Sequence, residues 1–226
     1  MQERYDRKGQ PHIYPVGATI GFTFLAHDAV PKPLLIKLKE AKLEKEERLH
    51  AEKPDDMELA MHELHRWYQM ELEALLAAKR AQEHPFLNPD IAQAVLDRLH
   101  LYDGVYYNLD GYSLMSNHLH ALLDFSVQCP PNYDGMMHLP DYYSPKRWVG
   151  NYKGASSRQA NQAADRDGPL WMQHNNYNRY MRDANHQAYT LNYFVRNPEV
   201  AGLVSNWREH PYTYASKAML ELFALS

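Results

Sequence analysis

Apolar residues recur at two periods along this chain, and the switches between them mark its elements. A first segment, residues 12 to 25, closes in the strand Phe22-Thr23-Phe24-Leu25. Pro31 and Pro33 open a helix that begins near Leu34, with Leu34, Leu35, Leu38 and Leu43 as its apolar stripe and dense Glu/Lys pairing behind it. Pro54-Asp55-Asp56 breaks that run. A second helix is expected from about Met57 to Glu83, with Leu59, Leu64, Trp67, Met70, Leu75 and Leu76 as a broad apolar face. The two read as a helical hairpin, most simply a scaffold. His62 and His65 lie one turn apart on it and read as surface residues, because no third ligand of suitable type is near in sequence. Asn88-Pro89-Asp90 caps a third helix, about residues 89 to 101, with Ile91, Val95 and Leu99 at helical spacing.

The period then changes to two. Tyr112-Ser113-Leu114-Met115 alternates, Ser116-Asn117 bends the chain, and His118-Leu119-His120-Ala121-Leu122-Leu123-Asp124 follows as a second strand. Ser144-Pro145 starts a helix carrying Trp148, Tyr152 and Lys153. Trp171 to Met181 reads as an irregular approach and a final strand, and Asp183 caps a last helix that Pro198 stops. Strands and helices alternate without a strict strand–helix–strand repeat. That predicts an α+β fold: an antiparallel sheet whose middle strand carries the His pair, with helices packed on one face.

Residues two apart on a strand share a face, so His118 and His120 project side by side. Two imidazoles held on one rigid face make half of a metal site. Tyr189, Tyr193 and Asn197 are spaced by four and share one face of the expected last helix. Brought to the His pair, that face would add a phenol nucleophile and an amide oxygen as third ligand.

Composition narrows the setting. A chain of 226 residues can bury one sizeable core, so a single domain with an appendage is expected. Cys129 is the only cysteine, which excludes an internal disulfide and any Cys-based zinc or redox motif. The charged run Met1 to Lys8 has no apolar core after it, so no signal peptide is expected, and no apolar run approaches a membrane span. The net charge of -4 argues against generic coating of DNA. Its distribution changes that picture. Glu40, Glu44, Glu46, Glu47, Glu52, Asp55 and Asp56 concentrate in the hairpin, whereas Lys146, Arg147, Lys153, Arg158, Arg166, Arg179, Arg182 and Arg196 mark the later half as basic. A local basic face can bind phosphate on an acidic molecule.

The His-Leu-His strand with a helical tyrosine resembles the HUH single-strand DNA nucleases. More closely, the chain is similar to the REP-associated tyrosine transposases, a branch of the insertion-sequence-200-like transposases. Four blocks carry the resemblance in order: Gly17 to Leu25; Met115-Ser116-Asn117-His118-Leu119-His120-Ala121-Leu122; Gly168-Pro169-Leu170-Trp171 with Tyr177 to His186; and Tyr193 to Val204 followed by His210 to Ser216. They span most of the chain outside two insertions, about 40–87 and about 126–143, within one domain over 1–226. Ser116 departs from the family's usual proline, and Glu199 adds an acidic residue beyond the tyrosine helix.

The resemblance implies a ferredoxin-like core and a bacterial, cytoplasmic, nucleoid-associated protein. It implies an enzyme that binds, cleaves and rejoins single-stranded, hairpin-bearing DNA through a 5′-phosphotyrosine intermediate. By register with Asn197-Pro198 it makes Tyr193 the nucleophile, with Tyr189 as competitor. It makes His118, His120 and Asn197 the ligands of a divalent metal, Mg²⁺ or Mn²⁺; two nitrogen donors tilt the choice toward Mn²⁺. Asn197 has the alternative role of capping the helix before Pro198. Lys153, Arg179 and Arg182 are candidate phosphate contacts and Tyr177 a candidate base-stacking residue, while Trp171 reads as core. The protein can be a monomer or a homodimer, and no membrane partner is expected. Three other readings stay open. They are a domesticated hairpin-binding protein that no longer cuts, a metal-dependent hydrolase using Asp124 and water, and a partner-binding protein built on the acidic hairpin.

Overall fold

The computed structural model describes residues 14–78 and 84–223, preceded by a small ladder of β1 (Asp6–Arg7) with β2 (Gln10–Pro11). The side chains of residues 6–11, 58, 62 and 174–177 lie outside the described set, and with them the expectation for the His62 side chain. In chain order the remaining elements are β3 (Thr19–Ala26), α1 (Lys32–Glu52), α2 (Met57–Ala78), α3 (Pro89–His100), β4 (Asn108–Leu114), β5 (His118–Asp124), α4 (Pro145–Ala163), β6 (Trp171–Tyr180), α5 (Ala184–Val195), α6 (Asn197–Val200), β7 (Thr213–Ala215) and α7 (Lys217–Phe223). They group into two compact units: Met1–His27 with His84–Ser226, and Asp28–Glu83. Among the described residues, no helix is long and apolar enough to cross a membrane.

The first unit is α+β. Its five strands pair antiparallel in the order β6-β3-β5-β4-β7, so β5 is central. The four long strands with α3 and α4 in the crossovers make the β-α-β-β-α-β pattern of a ferredoxin-like fold. Period-two burial explains the layers. Phe22 and Phe24 sit opposite Ala121 and Leu119 in the β3–β5 register and face the helix pair α3–α4. There Trp148 of α4 lies 5.1 Å from Phe22 and 5.4 Å from Tyr107, ring to ring, and Tyr152 donates its hydroxyl to the Val95 carbonyl of α3 at 3.3 Å. Caps set where these helices begin: Asn88 Oδ1 accepts from Asp90 N at 2.9 Å, and Ser144 Oγ from Arg147 N.

Those two helices cover one face, as the sequence pattern predicts. The other face carries an additional helix, α5, started by Asp183, whose carboxylate accepts from His186 N at 2.8 Å. Leu191, Phe194 and Val195 of α5 pack against Leu122, Met181, Trp207 and Ala215. Each fully buried Leu or Phe side chain contributes roughly 1.5–3 kcal/mol. Two glycines let α5 come this close. A Cβ on Gly21 would lie 3.3 Å from Phe194 and from Thr190; one on Gly111 would lie 2.5 Å from Leu191 and 2.8 Å from the Tyr214 carbonyl oxygen. A bulge at Leu109/Gly111 turns Asp110 toward the same helix, where Gln187 donates to its carboxylate at 2.7 Å. β7 and α7, which the sequence pattern did not announce, close this edge of the sheet.

The helix after Asp183 is shorter than its sequence predicts. It ends at Val195; Arg196 turns the corner, and Asn197 opens the separate turn α6 with Pro198 in its first positions. Proline lacks the N–H that a continuing helix needs and favours a helix start, so the break falls before Asn197 rather than after it.

The unit Asp28–Glu83 is the helical hairpin. Lys53, at φ 47°, caps α1 in the left-handed conformation, and Asp56 accepts from Leu59 N at the start of α2. Residues 79–83, the end of the expected second helix, lie outside the described residues. The buried set differs from the expected stripe. Leu35, Leu38 and Lys42 of α1 and the four-spaced ladder Leu64, Tyr68, Leu72 and Leu76 of α2 are buried, while Leu43, Leu59 and Met70 are exposed. The difference comes from aromatic rings that accept cations. Lys42 holds its ammonium 5.1 Å from the Tyr68 ring, so its long stem takes a buried position, and the exposed Lys45 holds its own 4.7 Å from the Trp67 ring. Burial pushes the Lys42 pKa down. His65 is half-buried on α2.

Residues 126–143 of the first unit form an irregular excursion. Gln128 ties its two ends by donating to the carbonyls of Tyr106 and Tyr143 and accepting from Tyr143 N. Tyr106 and Tyr143 stack at 4.2 Å.

Two outcomes follow for stability. Gly111→Ala drives a methyl into Leu191 and the Tyr214 carbonyl, and is expected to cost about 2 kcal/mol and lower the melting temperature by roughly 4–8 °C. Burial pushes the Asp110 carboxyl up to about 7, against the lowering effect of the Gln187 hydrogen bond. The folded chain therefore holds a proton between about pH 4 and 7 that the unfolded chain releases, and this group's contribution to stability falls as pH rises through that window. Asp110→Asn is expected to raise stability at pH 8 by on the order of 2–4 kcal/mol and to change little at pH 4, read from urea melts at the two pH values.

Candidate functional site

The bend Ser116-Asn117 joins β4 to β5 and is held by Met115 N donating to the His118 carbonyl and Ala26 N donating to the Asn117 carbonyl. The strand it launches has His118 and His120 on the α5 face, both fully buried, with ring centroids 4.7 Å apart. In the sheet register His120 lies between Thr23 of β3 and Ser113 of β4, and His118 opposite Leu25.

Each imidazole is oriented by a neighbour. Asn117 Oδ1 lies 2.8 Å from His118 Nδ1. An amide oxygen only accepts, so this contact keeps the proton on Nδ1 and leaves the lone pair on Nε2. The Thr23 hydroxyl lies 2.9 Å from His120 Nδ1 and holds that ring in place from the neighbouring strand. This is the outer support that metal-binding histidines carry. Through the two Nε2 atoms the pair can fill two positions on a divalent metal. Thr23 and Asn117 are contributions that motif reading missed. For Thr23 a signal was present: one hydroxyl between two phenylalanines in a buried strand.

α5 brings the second half. Phe194 stacks flat on His120 at 4.5 Å and 12°, and the half-buried Tyr193 ring stands 5.8 Å from the same imidazole. Tyr193 and the His pair are thus brought together. Asn197 is buried at the start of α6, one residue past the corner. Arg196 and Glu199 brace that corner: Arg196 Nε donates to Asn192 Oδ1 at 3.0 Å and pairs with Glu199, whose other oxygen accepts from Trp207 N at 2.8 Å.

The remaining candidates separate. Tyr189 is on α5, one turn before Tyr193, and is 59% exposed. Lys153 is not brought to this face. Its Nζ donates to the Met172 carbonyl and sits 5.6 Å from the Phe24 ring, in the layer under α4, and burial pushes its pKa down to about 8. The stem of a lysine next to Tyr152 on the inner face of α4 packs with the aromatic core, which draws its head to a strand carbonyl. Arg179 lies opposite Gly21 in the β3–β6 register, on the His side of the sheet, and Arg182 is exposed where β6 leads into α5. Tyr177 is in register with Thr23, and its side chain lies outside the described residues. Trp171 is core, as its sequence context suggests: its indole N–H donates to Ser156 Oγ at 2.8 Å. Asp124 ends β5 with its carboxylate accepting from Ser126 N and Oγ, Asn108 and Thr19.

No protein-family model and no curated protein matches this chain. Among solved structures, that of a REP-associated tyrosine transposase bound to a REP hairpin is similar, with a TM-score of 0.44 and 13% sequence identity over 93% of this chain and 81% of that one. Likeness of this degree assigns neither a role nor a ligand to any residue.

If the Thr23 hydroxyl orients His120, its loss weakens any metal held there. Thr23→Val is expected to lower Mn²⁺ affinity about tenfold with the fold intact, measured by isothermal titration calorimetry alongside a thermal melt.

Proposed function

We propose that this protein is a tyrosine endonuclease and transposase of the HUH kind, which cleaves and rejoins single-stranded, hairpin-bearing DNA. The observation that supports it best is the meeting of two chain segments far apart in sequence. The Tyr193 ring of α5 stands beside His120, whose partner imidazole His118 is 4.7 Å away on the central strand. The resemblance of four sequence blocks to the REP-associated tyrosine transposases suggests the substrate class. In this reading the two Nε2 atoms, with Asn197 as third ligand, hold Mn²⁺ or Mg²⁺. When bound, that ion supplies Lewis-acid stabilisation of charge on the non-bridging phosphate oxygens.

The chain's own groups do the rest. The Tyr193 phenol oxygen attacks phosphorus, a phosphorus–tyrosine bond forms, and the bond to the 3′ oxygen breaks. The leaving oxygen takes up a proton as the phenol gives one up. The strand is left as a 5′-phosphotyrosine with a free 3′ hydroxyl, which can attack in reverse and rejoin it. Asn117 keeps the His118 proton on Nδ1, and Thr23 holds the His120 ring in place. Phe194 excludes water from one side of His120. In this reading Arg179 and Arg182 would meet the phosphate backbone. The hydrolase alternative needs Asp124 as base, and its carboxylate is already engaged in four hydrogen bonds at the end of β5.

The test is a denaturing gel. Purified protein with Mn²⁺ and labelled hairpin-bearing single strands is expected to give a slow covalent band that disappears with EDTA and in Tyr193→Phe. Binding without any such band or cleavage, across Mn²⁺ and Mg²⁺, would replace this reading with that of a hairpin-binding protein that does not cut.

A further inference from the structure

We infer that Tyr189 is a stacking platform for an unpaired base next to the scissile phosphate, and so a residue by which this site selects single strands. The inference rests on the tyrosine-nuclease reading of the site. α5 commits Thr190, Leu191, Phe194 and Val195 to the sheet. Tyr193, on the border of that buried stripe, meets His120. Tyr189 lies four residues earlier, one turn back and turned further toward solvent, and leaves 59% of its surface in water. No ring contact involving Tyr189 is found among the described residues, whereas aromatic rings elsewhere in this unit pack on one another in a continuous layer. Its outward neighbours along the helix are polar: Asn185 and Arg182 toward the start of α5, and Arg196 beyond Tyr193.

Stacking gives the pair its selectivity. One helical turn, about 5.4 Å, separates the two rings along α5. Inside a duplex both faces of a base are covered by its neighbours, so a base can lie on Tyr189 only once it has left that stack. Every base offers a π face, so such a contact favours unpaired over paired DNA without reading sequence. The phenol hydroxyl has no part in it.

The experiment compares wild type, Tyr189→Ala and Tyr189→Phe in the Mn²⁺-dependent adduct assay. The substrates are one hairpin-bearing strand and a series with a single abasic site moved stepwise across the scissile phosphate. Tyr189→Ala is expected to raise the half-saturating DNA concentration about tenfold, with an unchanged thermal melt, and Tyr189→Phe to restore it. One abasic substrate should weaken wild type to the level of Tyr189→Ala and leave that variant no weaker. Equal behaviour of wild type and Tyr189→Ala on intact DNA, with the adduct still formed, overturns the platform and leaves the nuclease reading standing. A tenfold loss that persists unchanged on every abasic substrate also overturns it. Absence of any adduct in wild type removes both.

Discussion

The arrangement depends on how closely one helix can lie on the sheet. At Gly21 and Gly111 the strand surface has no side chains, and α5 settles there far enough for Leu191 and Phe194 to reach the backbone. Phe194 then lies flat against His120, and its neighbour Tyr193 is carried to the imidazole edge. Even a single Cβ would press on Phe194 and Thr190 at Gly21 and overlap Leu191 at Gly111, so larger side chains there would push the helix off the sheet. The imidazoles and the tyrosine are therefore brought together by packing between layers, and the polar contacts at the imidazoles refine the placement.

Those polar contacts stand in an otherwise apolar setting. β3 and β5 are buried along nearly their whole length, yet Thr23, Asn117, His118 and His120 sit among them. Burying such groups costs free energy unless each finds a partner. Asn117 and Thr23 supply partners to Nδ1 of each ring, at distances of ordinary hydrogen bonds. A polar pair maintained at that cost in the centre of a sheet is a feature of sites rather than of scaffolds.

Much of this was legible in the sequence because period and caps are local. Alternation located β4 and β5, Asn88, Ser144 and Asp183 located helix starts, and the His-x-His spacing located the paired imidazoles. What escaped depends on contacts between distant segments. The hairpin's interior is read correctly only when Lys42 is known to lie over Tyr68, which makes a charged residue part of the buried set. Lys153 looked like a phosphate contact because its charge is visible in sequence and its facing layer is not. Thr23 could not be paired with His120, ninety-seven positions away, without the strand order. The corner at Arg196 shows a local rule with two outcomes. Pro198 was read as a stop for one helix, and it serves as the opening of the next.

The central position of β5 has a consequence for how the site comes apart. Its backbone is paired to β3 on one side and β4 on the other along the full strand, so its amides exchange with solvent only when the sheet itself opens. α5 is joined to that sheet by side-chain packing and side-chain bonds such as that from Gln187 to Asp110. The imidazoles thus belong to the last part of the molecule to open, and the tyrosine to a helix that can lift while the sheet stays whole. Whatever Tyr193 carries would move with that helix relative to the fixed imidazoles.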